Sequence, residues 1–219
     1  MTDLTQFTWL TTVQRAGTGL AFLVFPVLFI IGFAVHPNLL RPQLVKGVNA
    51  LMARVRHNRL LQVGHVLVLL STPLLMIVAC ECISLSTTGP LAWLGFVGGV
   101  MAIGGVLILA ADKGALGLVV SAFDTLPDGE FLQLKPGLAA MQTFSGGLVL
   151  LRGLALLPLG FALLAIALFS AGALPAWQAG AMLVGTLMLA APDGFEIVSL
   201  MGSVFLAIAF VPLGLHFLV

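Results

Sequence analysis

The sequence predicts an all-α integral membrane protein, a bundle of six transmembrane helices with a basic amphipathic helix at the membrane surface. Hydrophobic residues make up 60% of the chain and charged residues only 8%, which leaves too little polar surface to cover a soluble globule. Long apolar runs are separated by segments too short to form an independent core. We therefore expect one membrane domain spanning residues 1–219.

The apolar runs and their Gly and Pro punctuation place the six predicted spans along the chain. The first run has neither a basic flank nor a small-residue cleavage site before it, so we expect a retained helix rather than a signal peptide. The fifth run is short for a span. The approximate bounds are 16–35, 60–85, 91–111, 147–171, 176–191 and 195–219.

Basic residues indicate the orientation of these spans. Five of them lie between the first two apolar runs with no acidic residue among them: Arg41, Lys46, Arg54, Arg56 and Arg59. Such a cluster stays on the cytoplasmic side, so segments 36–59 and 112–146 are predicted to be cytoplasmic and both termini to lie outside. Trp9, Trp93 and Trp177 then begin the inward-running spans, at the outer headgroup level. Short loops without an N-glycosylation site favour a bacterial inner (plasma) membrane.

Two cytoplasmic segments are predicted not to span. Residues 41–59 carry Leu44, Val48, Leu51, Met52 and Val55 at helical spacing, which predicts a basic amphipathic helix facing anionic lipid headgroups. Docking onto a protein partner is the alternative. Residues 114–146 begin apolar and then become acidic, and they fit an interfacial segment, a re-entrant loop or an extension of the third helix.

Charged and polar residues inside the predicted spans need partners or functions, because a charge in the hydrocarbon core is costly. Glu81 and Arg15 lie at similar depth in neighbouring spans, which predicts an ion pair; a functional carboxylate is the alternative. His65 is predicted to hydrogen-bond between helices or to act as a ligand. His36 and His57 could approach it, but without a spacing motif they predict no metal site.

A cluster of ionisable residues is predicted at the cytoplasmic ends of the later spans, formed by Asp112, Arg152, Asp193 and Glu196. The spacing of Asp193 and Glu196 suits an N-cap and the acidic residue three positions on, at the start of the sixth span. Asp112 and Arg152 have no such explanation. The cluster is our candidate binding or proton-handling site.

Several catalytic patterns are missing from the sequence: a nucleotide-binding glycine loop, a His-Glu-x-x-His pair, a Gly-x-Ser-x-Gly elbow and an acidic metal motif. We therefore favour a non-enzyme, predict no metal and assign no cofactor. The leading interpretation is transport of a small solute or ion, or ligand binding within the membrane. The alternatives are a non-catalytic subunit or assembly factor of a membrane complex, and an intramembrane lipid-modifying enzyme. Expected partners are the lipid bilayer and a membrane protein or further copies of the chain, but not nucleic acid.

Overall fold

The computed structural model describes residues 5–36, 39–143 and 152–219, and this part of the chain is helical without a strand. One π-helical turn, Ala115–Val119, joins two of the helices. The helices are α1 (Thr5–Ala34), α2 (Gly47–Val55), α3 (Arg59–Leu85), α4 (Ala92–Gly114), α5 (Val120–Phe123), α6 (Asp128–Gln133), α7 (Lys135–Thr143), α8 (Leu156–Ser170), α9 (Ala176–Leu189) and α10 (Glu196–Leu218).

Six of the described helices form a closed ring. In chain order α1, α3, α4, α8, α9 and α10 each pack on the next, and α10 packs back on α1. Short turns at residues 86–91 and 171–175 close one end of the ring, which we call the turn end. The opposite end holds His36, His65 and Glu196 and is called the cavity end. Neighbouring helices therefore run in opposite directions around the ring.

Glycines set the close spacing of the ring helices. At four interfaces, a Cβ added to one glycine would lie only 2.6–2.9 Å from a backbone oxygen of a glycine in the facing helix. A larger side chain at these positions would separate the helices, as expected where membrane helices associate through small residues. The facing pairs are Gly19 with Gly214, Gly32 with Gly64, Gly98 with Gly160, and Gly185 with Gly202.

In the described part of the chain, four helices are long and apolar enough to cross a membrane: Trp9–Ala34, Arg59–Leu85, Ala92–Phe123 and Glu196–Leu218. This fits an integral membrane protein. Helices α8 and α9 have 15 and 14 residues, about 22 Å at 1.5 Å per residue, which is less than the ~30 Å hydrocarbon core. They are shorter than the predicted fourth and fifth spans, and residues 147–151 of the fourth lie outside the described residues.

The segment after the predicted third span is a helix extension in its first part. Instead of ending at Gly114, the chain continues through the π-helical turn into α5 and reaches Phe123 as one long helix. The remaining acidic part folds into α6 and α7. Phe131 of α6 and Leu138 of α7 are buried against Met52 of α2. Residues 124–143 and α2 thus form one layer over the cavity end, which we call the cap.

Helix α2 differs from the lipid-facing helix predicted for residues 41–59. It covers only Gly47–Val55, and Met52 and Val55 on its apolar face are buried within the protein. Arg54 and Arg56 form ion pairs with acidic residues of the same chain. The basic residues that remain exposed in this region are Arg41, Lys46 and Arg59.

Phenylalanines fill the centre of the ring. Phe210 contacts three other rings, those of Phe22, Phe25 and Phe161, with centroid distances of 5.4–6.3 Å. A void of only about 10 Å³ remains beside them. The axis of the ring is therefore packed at mid-depth, and open space begins only toward the cavity end.

Candidate functional site

A cavity of about 380 Å³ lies between the helix ring and the cap. Its volume falls at the small end of the range typical of ligand pockets, roughly 300–1,000 Å³. The apolar lining includes Phe33, Leu109, Leu157, Pro158 and Leu189. The polar lining comprises His36, Arg54, His65, Lys113, Asp193, Glu196 and Ser199. An apolar floor with a few convergent polar groups is the usual composition of a small-molecule site.

Glu196 is the most deeply buried carboxylate of this lining, with 5% of its surface exposed. Its Oε1 atom accepts hydrogen bonds from Nη2 of Arg54 and from the Gly194 amide, the latter at 2.8 Å. Its Oε2 atom is buried and has no hydrogen-bond partner among the described residues. An unsatisfied buried polar atom costs about 1–3 kcal/mol, and more when it is charged. The second oxygen is therefore an acceptor without a donor.

Two histidines form the adjacent wall. His36 and His65 meet edge to face with ring centroids 5.7 Å apart. Nδ1 of His36 donates to the Gly32 carbonyl at 2.9 Å, so the neutral ring offers Nε2 as an acceptor. Burial lowers the pKa of His36 below its usual range, and the nearby positive charge of Arg54 lowers it further. His36 is therefore neutral at pH 7.

Asp112 and Arg152 do not meet in the structure. The Asp112 carboxylate lies 3.0 Å from Nζ of Lys113, and it is Lys113 that lines the cavity. The Arg152 side chain is exposed. Of the four residues in the predicted cluster, only Asp193 and Glu196 line the cavity.

The turn before α10 binds the chain segment that leads into α2. The amides of Gln43 and Val45 donate to the carbonyls of Gly194 and Asp193, at 3.0 and 3.1 Å. Gly194 has a φ of +103°, a conformation that favours glycine, and a side chain there would strike the Gln43 backbone. Helix α10 begins at Glu196, so Asp193 is not its N-cap as predicted.

Arg56 joins the two parts of the cap. Its guanidinium donates to the Asp124 and Leu126 carbonyls, each at 2.8 Å, and to the Asp128 carboxylate at 2.6 Å. It also lies over the Phe131 ring, 4.5 Å from the centroid. The Arg56 guanidinium lowers the pKa of Asp128. One basic side chain thus orders residues 124–131 against α2.

Arg54 lies between two open spaces. It lines the cavity on one side and an outer groove of about 420 Å³ on the other, and Val45 borders both. The groove is otherwise lined by residues of the cap and the segment before it, including Gln43, Ala50, Ala53 and Asn58. Arg54 and Val45 therefore lie in the wall between the cavity and the outer groove.

The remaining predicted polar contacts are arranged differently. Arg15 and Glu81, both described, do not form the expected ion pair; Arg15 is exposed and Glu81 partly buried. His57 is exposed and lies 3.9 Å from the Asp124 and Asp128 carboxylates, away from the cavity histidines. The described residues contain no group of three or more metal-binding side chains.

Sequence reasoning did not assign Arg54, His36 and Lys113 to the candidate site. Arg54 is among the predicted lipid-facing cations, and neither His36 nor Lys113 belongs to the predicted cluster. One signal could have separated Arg54 from the other cations. It follows Leu51 by three residues and so lies on the same helical face as part of the apolar stripe, which brings it toward the protein.

A scan against protein-family models and searches of curated proteins and solved structures found no match to this chain.

Proposed function

We propose that this chain is a multi-pass protein of a bacterial inner membrane that binds a small molecule in the cavity, either to transport it or to hold it. One observation carries the proposal: Glu196, with an oxygen that lacks a hydrogen-bond donor, lines a cavity of ligand size. Buried polar atoms without partners are rare in proteins and are concentrated where a ligand, an ion or water completes the site.

The packed centre argues for binding or alternating access rather than a permanently open pore. Phe210 and its neighbouring rings fill the axis of the ring beyond the cavity. A solute bound beside Glu196 would leave by the way it entered, because passage to the other side would require these rings to move. The cavity therefore suits a protein whose binding site is open to one side of the membrane at a time.

We propose that all six ring helices cross the membrane, with the cavity end in the cytoplasm. The two short helices support this because their outer faces are apolar: Leu159 and Ile166 of α8 and Val184 and Leu187 of α9 are exposed. Lys and Arg residues concentrate at the cavity end, and the three tryptophans, all of them exposed, lie near the turn end.

The two other functional interpretations have less support. The close glycine contacts that would suit a partner subunit are used between helices of this chain. An intramembrane enzyme would need paired carboxylates or histidines at one depth. Glu196 is bound by Arg54 and Asp193 is exposed. His36 and His65 do meet, but the described residues add no third side chain that would hold a metal with them. Binding of a small molecule remains the function that the geometry supports best.

Native mass spectrometry of the full chain in a mild detergent tests the proposal. We expect the wild type to carry a small-molecule adduct. Ala155→Trp places a large ring at the cavity wall and should remove the adduct. Ala111→Trp is the matched control, because Ala111 is also exposed but does not line the cavity.

Binding in the cavity would be contradicted if both tryptophan variants carried the adduct in equal amount, or if the wild-type chain carried no adduct. A second protein in fixed stoichiometry with a bare chain would support the subunit interpretation instead. The same spectrum therefore separates the two leading functions.

A further inference from the structure

The chemistry of the cavity wall identifies the class of molecule that it fits, provided that the cavity is a binding site as proposed above. Besides the donors of Arg54 and Lys113, the wall contains acceptors on Glu196 and His36. Oε2 of Glu196 has no donor among the described residues, and Nε2 of His36 is an acceptor because Nδ1 donates to Gly32. A ligand that completes these groups must donate hydrogen bonds.

Charges around the cavity disfavour an ionic ligand. Arg54 and Lys113 line the same space as Glu196 and Asp193. An ammonium ion at Glu196 would lie beside the guanidinium that already binds this carboxylate, and a carboxylate or phosphate would face Glu196 itself. Asp112 further offsets Lys113 at 3.0 Å. The donor is therefore a neutral group, and a hydroxyl is the simplest one.

The rest of the ligand must be apolar. Leu157, Pro158 and Leu189 line both the cavity and the small void at the packed centre of the ring, and Phe33 and Leu109 add further apolar surface to the cavity. These side chains offer no hydrogen bonds, so polar groups placed among them would lose their water without compensation. The volume of about 380 Å³ suits one compact molecule rather than a two-chain lipid.

We propose that the cavity binds a neutral, hydroxyl-bearing amphiphile, with the hydroxyl donating to Oε2 of Glu196 and the hydrocarbon part packed against Phe33 and Leu157. The geometry of Glu196 makes this testable at a single atom. Arg54 and Gly194 both donate to Oε1. In Glu196→Gln the amide oxygen would keep that position, and the amide NH₂ would replace Oε2, so an acceptor becomes a donor.

The test uses the full chain in lipid nanodiscs and four photoactivatable probes with the same medium-length chain: an alcohol, its methyl ether, an amine and a carboxylate. Labelling is mapped by peptide mass spectrometry. We expect the alcohol to label residues 154–158 and 189–191 about tenfold more than its methyl ether, because the ether has no donor. In Glu196→Gln this preference should disappear. Glu130→Gln, an exposed carboxylate of α6 outside the cavity, is the matched control.

Because the readout is a ratio between two probes, a general loss of folded protein does not mimic the expected result. Ala155→Trp, which leaves the Arg54–Glu196 pair intact, should abolish cavity labelling by the alcohol. Stronger labelling by the amine or the carboxylate would overturn the hydroxyl assignment and leave the binding function in place. Cavity labelling by none of the four probes, together with a bare chain in native mass spectrometry, would overturn both.

Discussion

The two ends of the helix ring differ in whether their buried polar groups have hydrogen-bond partners. At the turn end, Nε2 of Gln178 donates to the Ala209 carbonyl at 3.1 Å, and Oγ of Ser86 donates to the Ile83 carbonyl at 2.8 Å. Each buried group there has a partner within the chain. At the cavity end, Glu196 retains an oxygen without a donor, and the His65 ring forms no hydrogen bond among the described residues.

Packing density is also lower at the cavity end than in the rest of the ring. The phenylalanines at mid-depth leave a void of about 10 Å³, whereas the cavity end leaves about 380 Å³. A protein that only needed to be stable would have no reason to keep unsatisfied polar groups around open space, because both lower stability. The centre is closely packed, whereas the cavity end keeps open space beside a buried carboxylate oxygen that has no donor among the described residues.

The largest expected effect comes from breaking the ion pair at the cavity end. Arg54→Met leaves the Glu196 carboxylate buried without its charged partner, and we expect a loss of about 4 kcal/mol in the free energy of unfolding at neutral pH. The double variant Arg54→Met/Glu196→Gln removes the uncompensated charge and should recover most of this loss. Unfolding in mixed micelles measures both. Equal stability of the single variant and the wild type would show that the pair does not hold the cap to the ring.

A smaller loss of stability is expected from variants that compare packing at the centre of the ring with packing at the cavity wall. Phe210→Ala would open a void in the filled centre and should destabilise the protein by about 3 kcal/mol. Phe33→Ala makes the same chemical change at the wall of an existing cavity, where fewer contacts are lost, and should have an effect of about 1 kcal/mol. Thermal unfolding in detergent compares the two variants. Similar losses at both sites would mean that the cavity wall is packed as tightly as the centre.

The smallest effect concerns pH. Because the pKa of His36 is lowered by burial and by Arg54, the unfolded chain binds a proton more readily than the folded chain. Stability should therefore fall as the pH drops below the unfolded value of about 6.5, by at most ~1.4 kcal/mol per pH unit. His36→Gln should flatten this slope, and His57→Gln, with a 71% exposed side chain, is the matched control. Unfolding measured from pH 7.5 to 5.5 gives both slopes; an unchanged slope in His36→Gln would contradict the assignment.

Much of the fold was predictable because hydrocarbon and water impose simple rules on sequence. Apolar length identified the long helices, and the helical spacing of Met52 and Val55 predicted an amphipathic helix. The burial of its apolar face within the protein was not predicted. The rules were insufficient at Gly114, where the pattern of a helix end was present but the chain continued through a π-helical turn. A local stop signal there was overridden by packing, since Gly117 lies against the backbone of His65.

The sequence by itself determined that this is a helical chain suited to a membrane, because 60% hydrophobic residues in long runs have no other stable arrangement. It also determined that charged side chains would gather near one end of the spans. Only the tertiary structure decided which charges meet. Arg54 pairs with Glu196 across 142 residues of sequence because the segment leading into α2 binds the turn before α10. His36 meets His65 because α1 packs on α3. Contacts between distant segments depend on how helices pack, and hydrophobic periodicity carries no information about that choice.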